Sequence, residues 1–185
     1  MKLIIGLGNP GKEYEKTRHN VGWLVLDALE ENDQWQTSKK ANAMFIKKAI
    51  NGVEVELLKP TTYMNESGRA ACYAQKKHHL NPADIWVVHD DIDLPLGKIR
   101  IGQFNSSAGH KGVQSIIDHL KSADFIRFRI GIKNDVADKQ PAEKFVLQKF
   151  NLTEKKKINE SIKKTTEAIE MLLAEPLEKV MNKFN

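Results

Sequence analysis

Cysteine is nearly absent from this 185-residue sequence. Cys72 stands alone, so no disulfide can form within the chain and a cysteine cage for a metal lacks its ligands. A reducing, cytoplasmic setting is the expectation. No apolar run reaches the ~20 residues of a membrane-spanning helix, so no membrane partner is expected. Met1 to Leu7 has no basic stretch, no apolar segment of signal length and no small-residue cleavage site, and it reads as a first strand. The pattern G-x-S-x-G is missing too: Ser67 precedes Gly68 but has no glycine two positions before it, which removes a serine nucleophile elbow. There is no internal repeat, low-complexity linker or shift in composition. Residues 1–185 are therefore expected to form a single domain, large enough to bury on the order of 70 % of the unfolded surface.

What is present begins with charge. The net charge is +5, and its distribution says more than its total. Lys98, Arg100, Lys111, Lys121, Arg127, Arg129 and Lys133 face only Asp118 and Asp124 in the middle of the chain, whereas the segment from Asn151 to Asn185 is nearly balanced. A central basic stretch is either a solvated face or a docking site for a polyanion.

Hydrophobic periodicity outlines the elements. Lys2 to Ile5 is a short buried strand ending at Gly6, and a polar, glycine-rich loop follows to about Asn20. Val21, Leu24, Val25, Ala28 and Leu29 recur at helical spacing, which predicts a helix from Val21 to about Asn32. Met44–Ile50 and Val53–Leu58 flank Asn51-Gly52, a strong hairpin signal. Lys59 to Asn65 reads as a loop opened by Pro60, and Ser67 to about His78 as a helix. Ile85–His89 is an apolar strand running into Asp90-Asp91-Ile92-Asp93, followed by a turn over Leu94–Gly97 and a strand from Lys98 to Ile101. A small-residue loop spans Gln103 to Gly112, and a helix carries Val113, Ile116, Ile117 and Leu120. Phe125–Ile132 alternates apolar and basic residues, the period of a half-exposed strand, and one or two charged helices are expected from Thr153. Strands interleaved with helices predict an α/β fold with at least partly parallel pairing.

Several groups suit chemistry. Gly6-Leu7-Gly8-Asn9-Pro10-Gly11 matches G-x-G-x-x-G, but a dinucleotide site requires a helix opening within the loop, and the helix signal is delayed to Val21. A turn that aims Asn9 into a cleft fits better. His19 ends that loop; it is either a surface histidine or a base, since imidazole titrates nearest neutrality. Asp90 follows an apolar strand, where it can orient an imidazole or cap a turn. For Asp93, in Asp-Leu-Pro, the turn cap is favoured. Asn65 is a helix cap or a ligand for a substrate bearing both carbonyl and N–H groups. Cys72 falls in a helix and is expected to be packed; His78-His79 suits a helix end better than a metal. A base, an orienter and amides without a nucleophile point to attack by an activated water.

Taken together, the motifs resemble bacterial-type peptidyl-tRNA hydrolase. They are Gly6–Gly11, Tyr14, Thr17-Arg18-His19-Asn20, Pro60 to Gly68, His89 to Pro95 and Phe128 to Ile132, in order and reaching Phe145-Val146-Leu147. The resemblance implies a single α/β domain, a twisted mixed sheet wrapped by helices, acting as a monomer. It implies cleavage of the ester between peptide and tRNA without metal or cofactor, with His19 as general base and Asp90 as its orienter. Asn9 would sense the acylated amino group, and Tyr14, Tyr63, Met64, Asn65 and Lys111 would hold the peptide and the tRNA 3′ end. Lys98, Arg100, His110, Arg129 and Lys133 would contact phosphates of the acceptor arm. Two positions depart from the family pattern. Lys111 stands where asparagine is common, and lysine has no acceptor to replace an amide's, although it can grip a phosphate. Gly102 stands where a basic residue is common, which moves part of the phosphate clamp to Lys98, Arg100 or Lys133. Lys111 also motivates the alternative of a non-catalytic tRNA-binding relative with the same fold.

Overall fold

Alternation along the central strands decides the architecture. In β1 (Lys2–Gly6), Leu3 and Ile5 point to one side and Ile4 to the other; in β5 (Ile85–Pro95), Ile85 and Val87 oppose Trp86 and Val88. Both sides are apolar, so both must be covered. The structure is a computed structural model that describes residues 1–30, 32, 34–103 and 106–185. The remaining strands are β2 (Gln36–Ser38), β3 (Ala43–Ile50), β4 (Val53–Pro60), β6 (Ile99–Gln103) and β7 (Ile126–Lys133). They form one seven-stranded sheet in the order β2-β3-β4-β1-β5-β7-β6. The four central strands are parallel, and β2, β3 and β6 add antiparallel pairs at the two edges.

One face is covered by α1 (Val21–Leu29), α5 (Leu152–Leu172) and α6 (Leu177–Phe184), through side chains such as Leu26, Ile158, Ile169 and Val180. The other is covered by α2 (Ser67–His78) and α3 (Lys111–Leu120), through Ala70, Ala74, Val113 and Ile116. A short α4 (Ala142–Val146) precedes α5 and buries Phe145. The α/β class and mixed sheet expected from the sequence are present. The start of α1 lies directly on the strand ends: a Cβ on Gly22 would sit 2.4 Å from the Val88 carbonyl and 2.5 Å from the Leu7 nitrogen. Only glycine permits that approach, and it brings the turn before α1 over the ends of β1 and β5.

The hairpin at Asn51-Gly52 is as expected, with φ of 51° and 78° at the two turn residues. Helix α2 has the expected bounds, and α1 ends at Leu29, short of Asn32. Part of the expected end of α1 and part of the Gln103–Gly112 loop lie outside the described residues.

Other expectations are corrected. Strand β4 continues through Lys59 and Pro60, because Pro60 faces Ala43 while the ladder bond is made by Thr61 N–H to Asn42 C=O (2.8 Å). The missing N–H of proline therefore costs no bond there. Strand β5 does not stop at His89 but runs to Pro95 past a register shift against β7. The Asp91 carboxylate stabilises that shift by accepting the N–H groups of Asp93 (2.9 Å) and Leu94 (3.2 Å), so the turn-capping carboxylate is Asp91 and not Asp93. Strand β7 is not half-exposed: Arg127 is 2 % exposed. Burial, reinforced by Arg129 and opposed by Asp91, pulls the Arg127 guanidinium down to about 10, so it stays charged at neutral pH. Helix α3 starts at Lys111, inside the expected loop, and β2 and α4 had no clear periodic signal; the tail forms two helices, as allowed for.

Candidate active site

The ends of β1 and β5 open into a cleft of about 660 Å³, within the usual range for small-ligand sites. Asn9, Tyr14 and His19 come from the loop after β1, and Tyr63, Met64 and Asn65 from the turn before α2. Asp90 to Asp93 form the floor, and Gly109, His110 and Lys111 enter at the start of α3. Glu143, Val146 and Leu147 close the far wall from α4.

Asp90 is the hub. It is 2 % exposed, and its Oδ1 lies 2.8 Å from His19 Nδ1 and 2.9 Å from His110 Nε2. Burial alone would push its carboxyl up, but the two adjacent imidazoles outweigh that and hold it well below the usual carboxylate range. An ionised carboxylate only accepts, so both facing nitrogens are donors. His110 Nδ1 accepts the Val113 N–H (3.2 Å) as the cap of α3, and Nε2 is the nitrogen that donates to Asp90. His19 carries its proton on Nδ1, which leaves the Nε2 lone pair as its basic atom. The His19 and His110 rings are 5.0 Å apart. Beneath them, His89 donates from Nδ1 to the Asp90 carbonyl (2.7 Å). Burial pushes His89 well below the ordinary histidine value, so it is a neutral wedge edge-on to His110.

Asn9 is held from three sides. Asn20 Oδ1 accepts its N–H (3.0 Å), Asn20 Nδ2 donates to its carbonyl (2.9 Å), and Met64 N–H donates to its Oδ1 (2.8 Å). With the oxygen taken, the side chain offers Nδ2 as a donor. This local geometry has no helix opening in the Gly6–Gly11 turn, so the dinucleotide reading is excluded. Met64 is buried and packs against Gly112, whereas Tyr63 (64 % exposed) and Asn65 stand at the rim. Asn65 is not the cap of α2, whose preceding residue is Glu66.

The residues expected to meet phosphates divide. His110 lies in the inner site, spent on Asp90 and Val113, so its surroundings do not match a phosphate contact. Arg129 Nε donates to Asp91 (2.6 Å) and braces the cleft floor. Lys98 and Arg100 are exposed at β6, with Arg100 bonded to the Asn185 carbonyl, and Lys133 pairs with Asp138 (2.9 Å). Lys111 reaches across the mouth of the cleft to Glu143, and that contact lowers the Glu143 carboxyl below its ordinary value.

Among the described residues, His19, Asp90 and His110 are also a trio whose donor atoms lie within 4.8 Å of one another. Their facing atoms are already joined N–H to carboxylate, so a metal held by all three would have to break both bonds. Sequence reasoning passed over Asn20, His89 and Asp91; only their place inside the quoted motifs hinted at them.

The sequence family described as peptidyl-tRNA hydrolase matches residues 3–185. The chain belongs to that family. It is 42 % identical to the peptidyl-tRNA hydrolase of Listeria welshimeri over 187 residues, covering all of both chains. Against the peptidyl-tRNA hydrolase of Geobacillus kaustophilus it is 43 % identical over 188 residues, again covering all of both. The crystal structure of peptidyl-tRNA hydrolase from Acinetobacter baumannii superposes with a TM-score of 0.92 at 31 % identity, covering all of this chain and 94 % of that one. No helix among the described residues of this peptidyl-tRNA hydrolase family member is long and apolar enough to cross a membrane.

Proposed function

We propose that this chain releases the peptide from peptidyl-tRNA by hydrolysing the ester to the terminal ribose, with His19 activating the water. The observation that carries the reading is the 2.8 Å contact of His19 Nδ1 with the buried Asp90 carboxylate at the floor of the cleft, in a chain of this family.

The chemistry follows from the tautomers. Water bound at His19 Nε2 loses a proton to the ring as its oxygen attacks the ester carbonyl. The imidazolium that forms is stabilised by Asp90, which His110 steadies from the other side. The proton then passes to the departing ribose oxygen. General-base help of this kind contributes about 10²–10⁴-fold. Asn9 Nδ2 is positioned to donate to a carbonyl of the N-acylated end, and a free amino group offers no such acceptor, which separates peptidyl-tRNA from aminoacyl-tRNA. Tyr14, Tyr63, Met64 and Asn65 hold the peptide and the tRNA end, with Lys111 at the mouth. Lys98, Arg100 and Lys133 offer charge to acceptor-arm phosphates, contacts that give affinity more than sequence choice. In this reading the chain works as a single-domain monomer in the cytoplasm, without metal or cofactor.

Purified protein is expected to hydrolyse N-acylated aminoacyl-tRNA, and His19→Ala to bind it without cleaving it. One observation favours a second reading. Lys111, where the family commonly has asparagine, is turned toward Glu143. Binding without turnover by the unmutated protein would make the chain a tRNA-binding relative instead.

A further inference from the structure

We propose that Arg18 is a positioning residue for His19, clamping the turn that carries the base and the α4 wall of the cleft onto the start of α5. This rests on the reading of His19 as the general base.

Arg18 is 3 % exposed. Its Nη2 donates to both oxygens of Glu154, at 2.9 and 2.8 Å. Its guanidinium carbon lies 4.5 Å from the centre of the Phe145 ring and 4.9 Å from that of Phe150. Its own N–H donates to the Gln148 carbonyl (2.9 Å), and the preceding Thr17 bridges to Lys149. The anchor is itself held: Glu154 accepts from Asn134 Nδ2 (2.6 Å) and closes a capping box with Asn151 at the start of α5. Burial pushes the Glu154 carboxyl up, but the bonds from Asn151, Asn134 and Arg18 outweigh it and keep it below its ordinary value.

Stability alone is a poor account of this arrangement. Desolvation takes back much of what a buried ion pair gains, and a hydrophobic replacement of similar volume is often neutral or better. Here, moreover, Nε and Nη1 of Arg18 are buried without an acceptor. What a rigid planar fork does supply is geometry. One end of Arg18 is the backbone of the His19 turn. The other is stacked on Phe145 of α4, whose neighbours Val146 and Leu147 line the cleft. A single guanidinium thereby sets the spacing between the base and the opposite wall. Asn20 fixes the far side of the same turn through Asn9, so His19 is held between two buried clamps.

Arg18→Lys keeps the charge but loses the fork and the planar stack. On folded variant protein, kcat is expected to fall on the order of 10²-fold, as for a misplaced reacting group. The imidazole ¹H–¹⁵N spectrum supplies a readout that a merely structural role would not move. His19 should show the Nδ1–H tautomer in the parent protein and averaging with the Nε2–H tautomer in the variant. Glu154→Gln should change both quantities in the same direction, and the double variant should be little worse than the worse single one. If Arg18→Lys does not fold, Glu154→Gln carries the same two measurements. A folded variant whose His19 signal is unchanged overturns the proposal, whether kcat stays within about twofold or falls. Should the parent protein itself fail to turn over substrate, the base assignment fails, while the His19 signal still decides whether the clamp exists.

Discussion

Asp90 and Arg100 are both charged residues on strands of one sheet, yet they are held in opposite ways. Asp90 is buried, receives two imidazole N–H groups, and sits under a turn fixed by Asn20 and Arg18. Arg100 is exposed on the edge strand β6 and makes a single bond to a terminal carbonyl, and its neighbour Lys98 is exposed too. Inner groups of the first kind are set by the fold, feel a low dielectric and respond little to salt. Outer groups of the second kind are screened, replaceable and sensitive to ionic strength. Lys111 falls in the second class: it stands exposed at the mouth of the cleft against Glu143, whereas Gly102 lies buried in β6 opposite Arg127, away from the cleft lining.

The contrast predicts a graded set of outcomes. The largest is His19→Ala: kcat should fall about 10²–10⁴-fold with tRNA binding retained, measured by single-turnover release from N-acylated aminoacyl-tRNA. Loss of binding in proportion to rate would mean that His19 belongs with the outer groups. Next, Asn9→Ala should narrow the preference for N-acylated over free aminoacyl-tRNA by about 10-fold or more, the cost of leaving a buried partner unpaired; an unchanged ratio of the two rates would remove Asn9 from substrate reading.

Acid provides a test of intermediate size. The carboxyls of Asp90 and Glu154 are held below their ordinary values, so their contribution to stability is complete above the unfolded-state carboxylate range and is lost progressively as the pH falls from that range toward their lower folded-state values. Urea midpoints should begin to fall below about pH 6.5, where the unfolded chain protonates His89 and the buried native ring does not, and should fall more steeply below about pH 4 as the carboxylates join. Asp90→Asn should shallow the acid drop; an identical acid slope in that variant would show that Asp90 is not held as described.

At the rim, Arg100→Glu should weaken tRNA binding severalfold at low salt and reduce the slope of log K against log salt by about one to two. No change in slope would make β6 a solvated face. The smallest effect is expected at the exposed Lys111–Glu143 pair: Glu143→Gln should alter KM within about fivefold, and the change should vanish at high salt. A persistent, salt-independent change would move that pair from the outer class to the inner one.

Much of the fold was legible because it is local. Alternation marked the buried strands, Asn51-Gly52 set the hairpin, and the carboxylate after an apolar run singled out Asp90. The same reading stopped β5 at His89, since polar Asp90 and Asp91 end the apolar signal, although the ladder to β7 continues. Arg127 looked exposed because alternation assumes a wet face, and both faces of this sheet are covered. His19 and Asp90 were legible as types at suitable loop positions. The inward role of His110 was not, because it depends on α3 beginning two residues earlier than its apolar pattern suggests. Arg18 was visible only as a member of the Thr17–Asn20 motif, because its partner Glu154 lies 136 residues along the chain.

The strand order also sets when the site can exist during folding. Neighbours in the sheet are distant in sequence, as with Leu3 and Ile85 or Trp86 and Ile126, so long loops must close before the parallel core is rewarded. The hairpin β3–β4 and helix α2 can form early from nearby residues, but Asp90 meets His19 only after β1, β5 and α1 have docked. Arg18 finds its anchor later still. On an emerging chain, Glu154 is made long after the base it helps to hold. A nascent copy stopped just short of α5 would have every cleft-lining residue, from Asn9 to Leu147, and an undocked His19 turn. If the clamp acts as proposed, the His19 turn is docked only after the start of α5 has been made.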